Sequence, residues 1–230
     1  MKTMLITGAS RGLGLELVKQ YASEHWQVIA CCRQPGQAND LTALAEQYPS
    51  ISIEQVDILQ EVDIQCLAEK YKQQPVDLLF MNAGAYGPKG YGFDDISTEE
   101  WLNVLHVNSV APFIFIKYFL KQVIQSELKQ IALMSSKMGS IADNGSGGSY
   151  IYRSSKAALN AAAKSLAIDL AGDNVKVAII HPGWVKTRMG GPNALIDTQT
   201  SIKGIKQLLE NLSLENTGSF VAYDGQLIPW

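Results

Sequence analysis

Short apolar runs alternate along the chain with longer stretches whose apolar residues recur every three or four positions. The runs Thr3–Ile6, Gln27–Cys32, Ile51–Gln55, Val76–Met81, Gln130–Met134, Lys176–Ile180 and Ser219–Ala222 are predicted strands. The stretches Leu13–Glu24, Asp40–Gln47, Glu61–Lys72, Thr98–Ser126, Ser149–Ala171 and Ser201–Asn211 are predicted helices, the first with Leu13, Leu17, Val18 and Tyr21 on one face. Strand alternating with helix implies a parallel sheet covered on both faces, and the apolar strands suit such burial. The expected fold is α/β: one doubly wound domain over residues 1–230, with a seven-stranded, mainly parallel sheet.

Local signals place several boundaries. Ser97-Thr98-Glu99-Glu100 reads as a capping box, with Ser97 capping the backbone and Glu100 reaching back. Asp143-Asn144-Gly145-Ser146-Gly147-Gly148 reads as a loop before the helix from Ser149. Pro112 is awkward inside the helix from Thr98, so that helix is either kinked or two helices.

Composition narrows the class. The chain has 230 residues, 47% apolar and 18% charged, with a net charge of −3 and no basic cluster. That excludes a disordered chain and gives nucleic acid no electrostatic footprint. The opening Met1-Lys2-Thr3-Met4-Leu5-Ile6 runs straight into a glycine turn, too short for an export signal. The apolar run Val110–Ile116 is far shorter than a membrane span. A cytoplasmic protein without a membrane partner is expected. Cys31, Cys32 and Cys66 form no C-x-x-C pair and read as small buried hydrophobes. His25, His106 and His181 have no ligand spacing, so no metal site is expected.

The chemistry begins after the first strand, at Thr7-Gly8-Ala9-Ser10-Arg11-Gly12-Leu13-Gly14, which opens the first helix. Glycines allow a tight turn and let the backbone approach a pyrophosphate. The helix N-terminus then offers free N–H groups to that anion. Position between strand and helix separates this motif from an empty glycine-rich turn.

The spacing G-x-x-x-G-x-G, from Gly8 to Gly14, resembles the short-chain dehydrogenase/reductase family, and the resemblance spans essentially the whole chain. It implies a Rossmann-type fold holding a nicotinamide cofactor on Gly8, Ser10, Arg11, Gly12, Leu13 and Gly14. Asp57 stands where the family sets an Asp against the adenine, and Asn82-Ala83-Gly84 where it packs behind the nucleotide. Pro182-Gly183-x-Val185-x-Thr187 stands where it holds the nicotinamide carboxamide and a nearby phosphate. Sites that prefer NAD(H) usually place an acid after strand two. Here Cys32 is followed by Arg33, and no acid appears until Asp40. A guanidinium suits a 2′-phosphate, so NADP(H) is favoured over NAD(H).

Tyr152-Arg153-Ser154-Ser155-Lys156 supplies Y-x-x-x-K at the start of a helix after strand five, where the family has its active site. Tyr and Lys four apart share a helix face, and a nearby ammonium is expected to lower the phenol's pKa. Tyr152 then exchanges a proton with the substrate oxygen, Lys156 tunes Tyr152 and holds the nicotinamide ribose, and Asn108 matches the residue that holds a relay water. The family's serine is followed by x-x-Gly, which selects Ser136 before Gly139, with Ser135 as the alternative. The loop from Ser136 to Tyr152 is longer than in many members.

Within the family, Ser135–Ile141, Tyr152–Asn160, Gly183–Thr187 and the closing stretch from Gly218 look most like the C-factor and sniffer-type carbonyl reductases. The implied partner is a small carbonyl or alcohol. Tyr86, Tyr91 and Trp184 are candidate pocket walls, and Arg188–Lys203 a mobile cover. A homodimer or homotetramer through the helices from Thr98 and Ser149 is implied. The competing reading is an NADPH-binding signalling or redox-sensing protein, which has no chemical need for Ser136, Tyr152 and Lys156 together.

Overall fold

The computed structural model describes residues 1–230 and centres on one sheet. Its strands are β1 Thr3–Thr7, β2 Gln27–Cys32, β3 Ile51–Gln55, β4 Leu78–Met81, β5 Gln130–Met134, β6 Lys176–His181 and β7 Phe220–Ala222. Their order is β3-β2-β1-β4-β5-β6-β7, and every pairing is parallel, not merely most of them. The helices are α1 Gly12–Ser23, α2 Asn39–Gln47, α3 Glu61–Lys70, α4 Thr98–Leu105, α5 Ala111–Ile124, α6 Tyr150–Asp169 and α7 Thr198–Glu210.

Strand side chains alternate between two cores. Leu5, Leu79, Ile131 and Val177 meet Leu67 of α3, Phe115 and Phe119 of α5 and Leu159 of α6. Met4, Ile6, Val28, Leu78 and Phe80 meet Leu17 and Val18 of α1, Leu41 of α2 and Ile202 and Ile205 of α7. The sheet is therefore doubly wound, and its C-terminal edge between β1 and β4 is the switch point where such folds bind ligands.

Pro112 divides the predicted long helix. Residues His106–Val110 form a π turn between α4 and α5, and Pro112 sits in the first turn of α5. Proline has no N–H to give the carbonyl of Asn108 four residues back. The turn widens instead, and Ala111 N–H donates to His106 five residues back. The run Thr98–Ile124 is long and apolar enough to cross a membrane by composition, but Phe115, Ile116, Phe119 and Val123 are core residues of the sheet face.

Two helix starts differ from the prediction for local reasons, and a third matches it. Asp197 caps α7 by accepting from Thr200 N–H at 2.7 Å, so that helix starts three residues before the predicted Ser201. Ser149 is left-handed, with φ +48°, so α6 starts at Tyr150. Ser97 caps α4 by accepting from Glu100 N–H at 3.4 Å, which is the first half of the predicted box. Cys31 and Cys32 are buried as expected, but Cys66 is exposed on α3.

The closing residues brace the loop after β5. Trp230 stacks on Phe220, its carbonyl accepts from Ala142 N–H at 2.9 Å, and the Pro229 carbonyl accepts from the Ser140 hydroxyl at 2.6 Å.

Candidate active site

The glycine turn leaves β1 at the switch point. Gly8 and Gly12 have φ of +69° and +57°, which glycine adopts without a Cβ penalty. A Cβ on Gly14 would lie 2.2 Å from the Gly8 carbonyl, so α1 packs against the turn only because residue 14 has none. No side chain caps the N-terminus of α1, which leaves its first N–H groups free for an anion.

Asn82 fastens the turn from behind. Its Nδ2 donates to the carbonyls of Thr7 and Gly8, each at 3.0 Å. The Thr7 hydroxyl accepts from Asn82 N–H at 3.2 Å and Ala83 N–H at 3.1 Å. Gly84 then passes close to Asn108 and Lys156: a Cβ there would lie 3.2 Å from Asn108 Oδ1 and 3.7 Å from Lys156 Nζ.

Arg11 and Arg33 are exposed, and neither has a carboxylate within salt-bridge distance. Arg33 follows β2 directly, so its guanidinium is free at the sheet edge. Asp57, after β3, is half-buried; its Oδ1 accepts from Leu59 N–H at 3.0 Å, which shapes the entry to α3.

Beyond β5, Ser135 and Ser136 separate by environment. Ser135 is 2% exposed and its hydroxyl donates to Asn160 Oδ1. Both serines line the cleft with Tyr152, but the Ser136 oxygen accepts from Met138 N–H at 3.2 Å, whereas Ser135 gives its hydrogen away. Gly139 explains the x-x-Gly pattern. A Cβ there would lie 2.8 Å from Lys156 backbone and side-chain atoms, so only glycine lets this turn sit on α6.

Tyr152 and Lys156 share the buried face of α6, with Lys156 Nζ 5.9 Å from the Tyr152 ring centroid. The ammonium donates to the Met134 carbonyl at 2.7 Å. Burial pushes the Tyr152 pKa up to about 12, against the Ser136 hydroxyl, which lowers it, and with a smaller upward push from Tyr86. The sequence expectation of a phenol pKa lowered by the lysine is thus reversed here, because desolvation dominates and the only lowering contact is the Ser136 hydroxyl. Burial also brings Lys156 down to about 8.

Asn108, in the π turn, is 1% exposed with its amide fully engaged. Oδ1 accepts from Ala85 N–H at 2.8 Å, while Nδ2 donates to the Ala85 carbonyl at 2.7 Å and Ser155 Oγ at 2.9 Å. Its side chain ties the loop after β4 to α6.

These elements surround a cleft of about 690 Å³. Leu13, Ser136, Tyr152, Pro182, Gly183, Val185 and Thr187 all line it, as do the predicted walls Tyr86, Tyr91 and Trp184. Ser10, Arg11, Arg33, Asp57, Asn108 and Lys156 lie outside that lining, as do Gly8, Gly12, Gly14, Asn82, Ala83 and Gly84. Gly183 has φ +84°, and a Cβ there would meet Ile196 at 2.7 Å. The Thr187 hydroxyl donates to the Val185 carbonyl at 3.3 Å, and its methyl lies 3.5 Å from a Cβ position at Gly12, which joins this loop to the glycine turn. The predicted cover Arg188–Lys203 is only partly loop, since α7 takes over from Thr198.

Sequence reasoning missed three residues. Asn160 holds Ser135, a role visible only once the serine is buried. His181 ends β6 in the cleft wall; burial lowers its pKa to about 4, and its Nδ1 is buried without a partner. Lys89 follows the aromatic Tyr86 on the loop after β4, and its Nζ donates to the Met189 carbonyl at 3.0 Å.

Comparison with known proteins agrees with this geometry. A family model described as short chain dehydrogenase matches residues 2–195. The chain is 36% identical over 156 residues to C-signal of Myxococcus xanthus, covering 68% of this chain and 93% of that one. It superposes on carbonyl reductase Sniffer of D. melanogaster with a TM-score of 0.93 and 37% identity over all of both chains. A putative short-chain dehydrogenase/reductase from Burkholderia multivorans with bound NADP gives a TM-score of 0.89 and 33% identity, covering 100% of this chain and 99% of that one.

Proposed function

The chain belongs to the short-chain dehydrogenase family, and from that premise we propose that it is an NADP(H)-dependent carbonyl reductase with Tyr152 as general acid/base. The observation that carries this reading is that Ser136 and Tyr152 line one cleft while Lys156 lies buried behind it on the same face of α6, with its Nζ 5.9 Å from the Tyr152 ring centroid. The solved relatives named as carbonyl reductase, or as holding NADP, support the same activity and cofactor.

The residues fit the cofactor. The Gly8–Gly14 turn packs directly on α1 because residue 14 has no Cβ, and the uncapped α1 N-terminus opens beside it. Arg33, with Arg11 beside the turn, offers donors to a 2′-phosphate. Pro182, Gly183, Val185 and Thr187 border the nicotinamide end, and Asp57 the adenine end. When bound, NADPH supplies hydride to the substrate carbonyl carbon.

This chain's side chains handle the oxygen. The Ser136 hydroxyl donates to the carbonyl and steadies the developing negative charge. Tyr152 gives the oxygen its proton. Lys156 restores the proton through a relay whose far end is Asn108, where Pro112 leaves the backbone carbonyl without an α-helical donor. Aromatic walls at Tyr86, Tyr91 and Trp184 suit a small apolar carbonyl compound.

NADPH oxidation measured against a panel of aldehydes and ketones tests the reading. Turnover that Tyr152→Phe reduces by about 10²–10⁴-fold, with NADPH binding retained, is the expected result. Equal turnover in the variant rejects Tyr152 as the acid. The match to C-signal favours a second reading, an NADPH-binding signalling protein. Tight NADPH binding with no turnover of any carbonyl selects it. The exposed apolar residues Leu102, Val110 and Ile168 on α4, the π turn and α6 support a homo-oligomer through those helices.

A further inference from the structure

The cleft has a marked charge bias. Among its 20 lining residues there is no Asp or Glu, whereas Lys89 and Lys137 both border it. The two lysines differ. Lys137 pairs with Asp143 at 3.1 Å, which neutralises it locally. Lys89 has no carboxylate within salt-bridge distance; its Nζ touches the Met189 carbonyl at 3.0 Å and lies 5.2 Å from the Tyr86 ring centroid.

Tyr86 relates this ammonium to the proposed chemistry, since its ring stacks on Tyr152 with centroids 4.5 Å apart. Lys89 Nζ therefore lies no farther from the Tyr152 ring than those two centroid distances combined, a span that one benzene ring and its substituents bridge. Phosphate-binding groups are already present in the glycine turn and Arg33, so the cofactor does not require this cation.

We propose that Lys89 is a specificity-determining residue that selects carbonyl substrates carrying a carboxylate about one aromatic ring away from the reacting carbon. The inference rests on the reductase reading above. The aromatic body lies against Tyr86, Tyr91 and Trp184, and the carboxylate replaces the Met189 carbonyl as partner of the ammonium. An ammonium exchanging a neutral carbonyl for an anion gains a charge-assisted hydrogen bond. Because Lys89 is exposed, the gain is screened by water and salt.

The test compares 4-formylbenzoate with its methyl ester as substrates for NADPH-dependent reduction by the full chain. The expected kcat/KM preference for the acid is about threefold to tenfold at low ionic strength, and it shrinks as salt is raised. Lys89→Met brings the ratio towards one, mainly through KM of the acid, and Lys89→Arg keeps it. Lys72→Met, which removes the same charge at the other end of the sheet, leaves the ratio as it was. Reduction of both compounds with no preference for the acid, or with the preference intact in Lys89→Met, overturns the inference and leaves the reductase reading standing. Weaker NADPH binding in Lys89→Met, without a change in the ratio, assigns the cation to the cofactor and also overturns it. Absence of any reduction, of these or of the wider carbonyl panel, rejects the reductase reading and this inference with it.

Discussion

Tyr86 stacks on Tyr152 with ring centroids 4.5 Å apart and planes inclined by 25°, and the Tyr86 hydroxyl meets Ser149 Oγ at 3.1 Å. The stack covers the phenol that burial holds near a pKa of about 12. As a general acid Tyr152 works while protonated, so carbonyl reduction falls as pH rises through its pKa. Tyr86→Ala lets water reach the phenol and lowers that pKa. The alkaline limb of kcat/KM is expected to move to lower pH by about one unit; an unmoved limb would show that the stack does not contribute to desolvation.

Lys156 carries a stability cost. Its folded pKa of about 8 lies below its ordinary value of 10.5, because burial penalises the charge. Below pH 8 folding buries a charged ammonium; between 8 and 10.5 the unfolded chain holds the extra proton, so stability rises with pH there. Lys156→Met is expected to stabilise the cofactor-free protein at pH 7 by about 1–3 kcal/mol, with the gain fading towards pH 10.5, while abolishing turnover. Thermal melts across pH check it; destabilisation at pH 7 would show that the bond to Met134 outweighs the burial penalty.

Arg33 has no acidic partner and directly follows β2. Arg33→Ala is expected to weaken NADPH binding about tenfold to a hundredfold and leave NADH binding unchanged. Nicotinamide fluorescence titrations measure both, and a parallel loss for the two cofactors would remove the 2′-phosphate assignment.

Gly139 lets the Ser136 turn sit on Lys156. Gly139→Ala inserts a methyl 2.8 Å from the lysine's atoms, so the turn must lift. The expected result is a loss of about 2 kcal/mol or more in urea unfolding together with reduced turnover. A variant as stable as the parent would contradict the contact.

Cys31 and Cys32 are buried, and burial raises both thiols, whereas Cys66 is exposed. Iodoacetamide is expected to modify the native protein at Cys66 alone, and all three cysteines in denaturant. Mass spectrometry of the alkylated protein distinguishes these, with rapid native labelling at Cys31 as the contrary result.

The strand–helix alternation was legible along the chain, because periodicity and turn residues are local. The sequence also carried the glycine turn, since Gly8 and Gly12 are required by backbone angles and Gly14 by a contact six residues away. Tyr152 and Lys156 were legible because four residues make one helical turn. Tertiary structure decided what depends on packing between distant segments. Which serine keeps its hydroxyl hydrogen for a substrate follows from Asn160 taking that of Ser135, 25 residues away. The widened turn at Asn108 had a visible cause in Pro112, but not a visible form, since a proline can kink, end or widen a helix. The upward shift of Tyr152 could not be read from Lys156 nearby, because a pKa is the balance of a charge against desolvation. Lys89 emerged last, since a lone loop lysine carries no pattern and its place depends on Tyr86 and on a carbonyl 100 residues further along the chain.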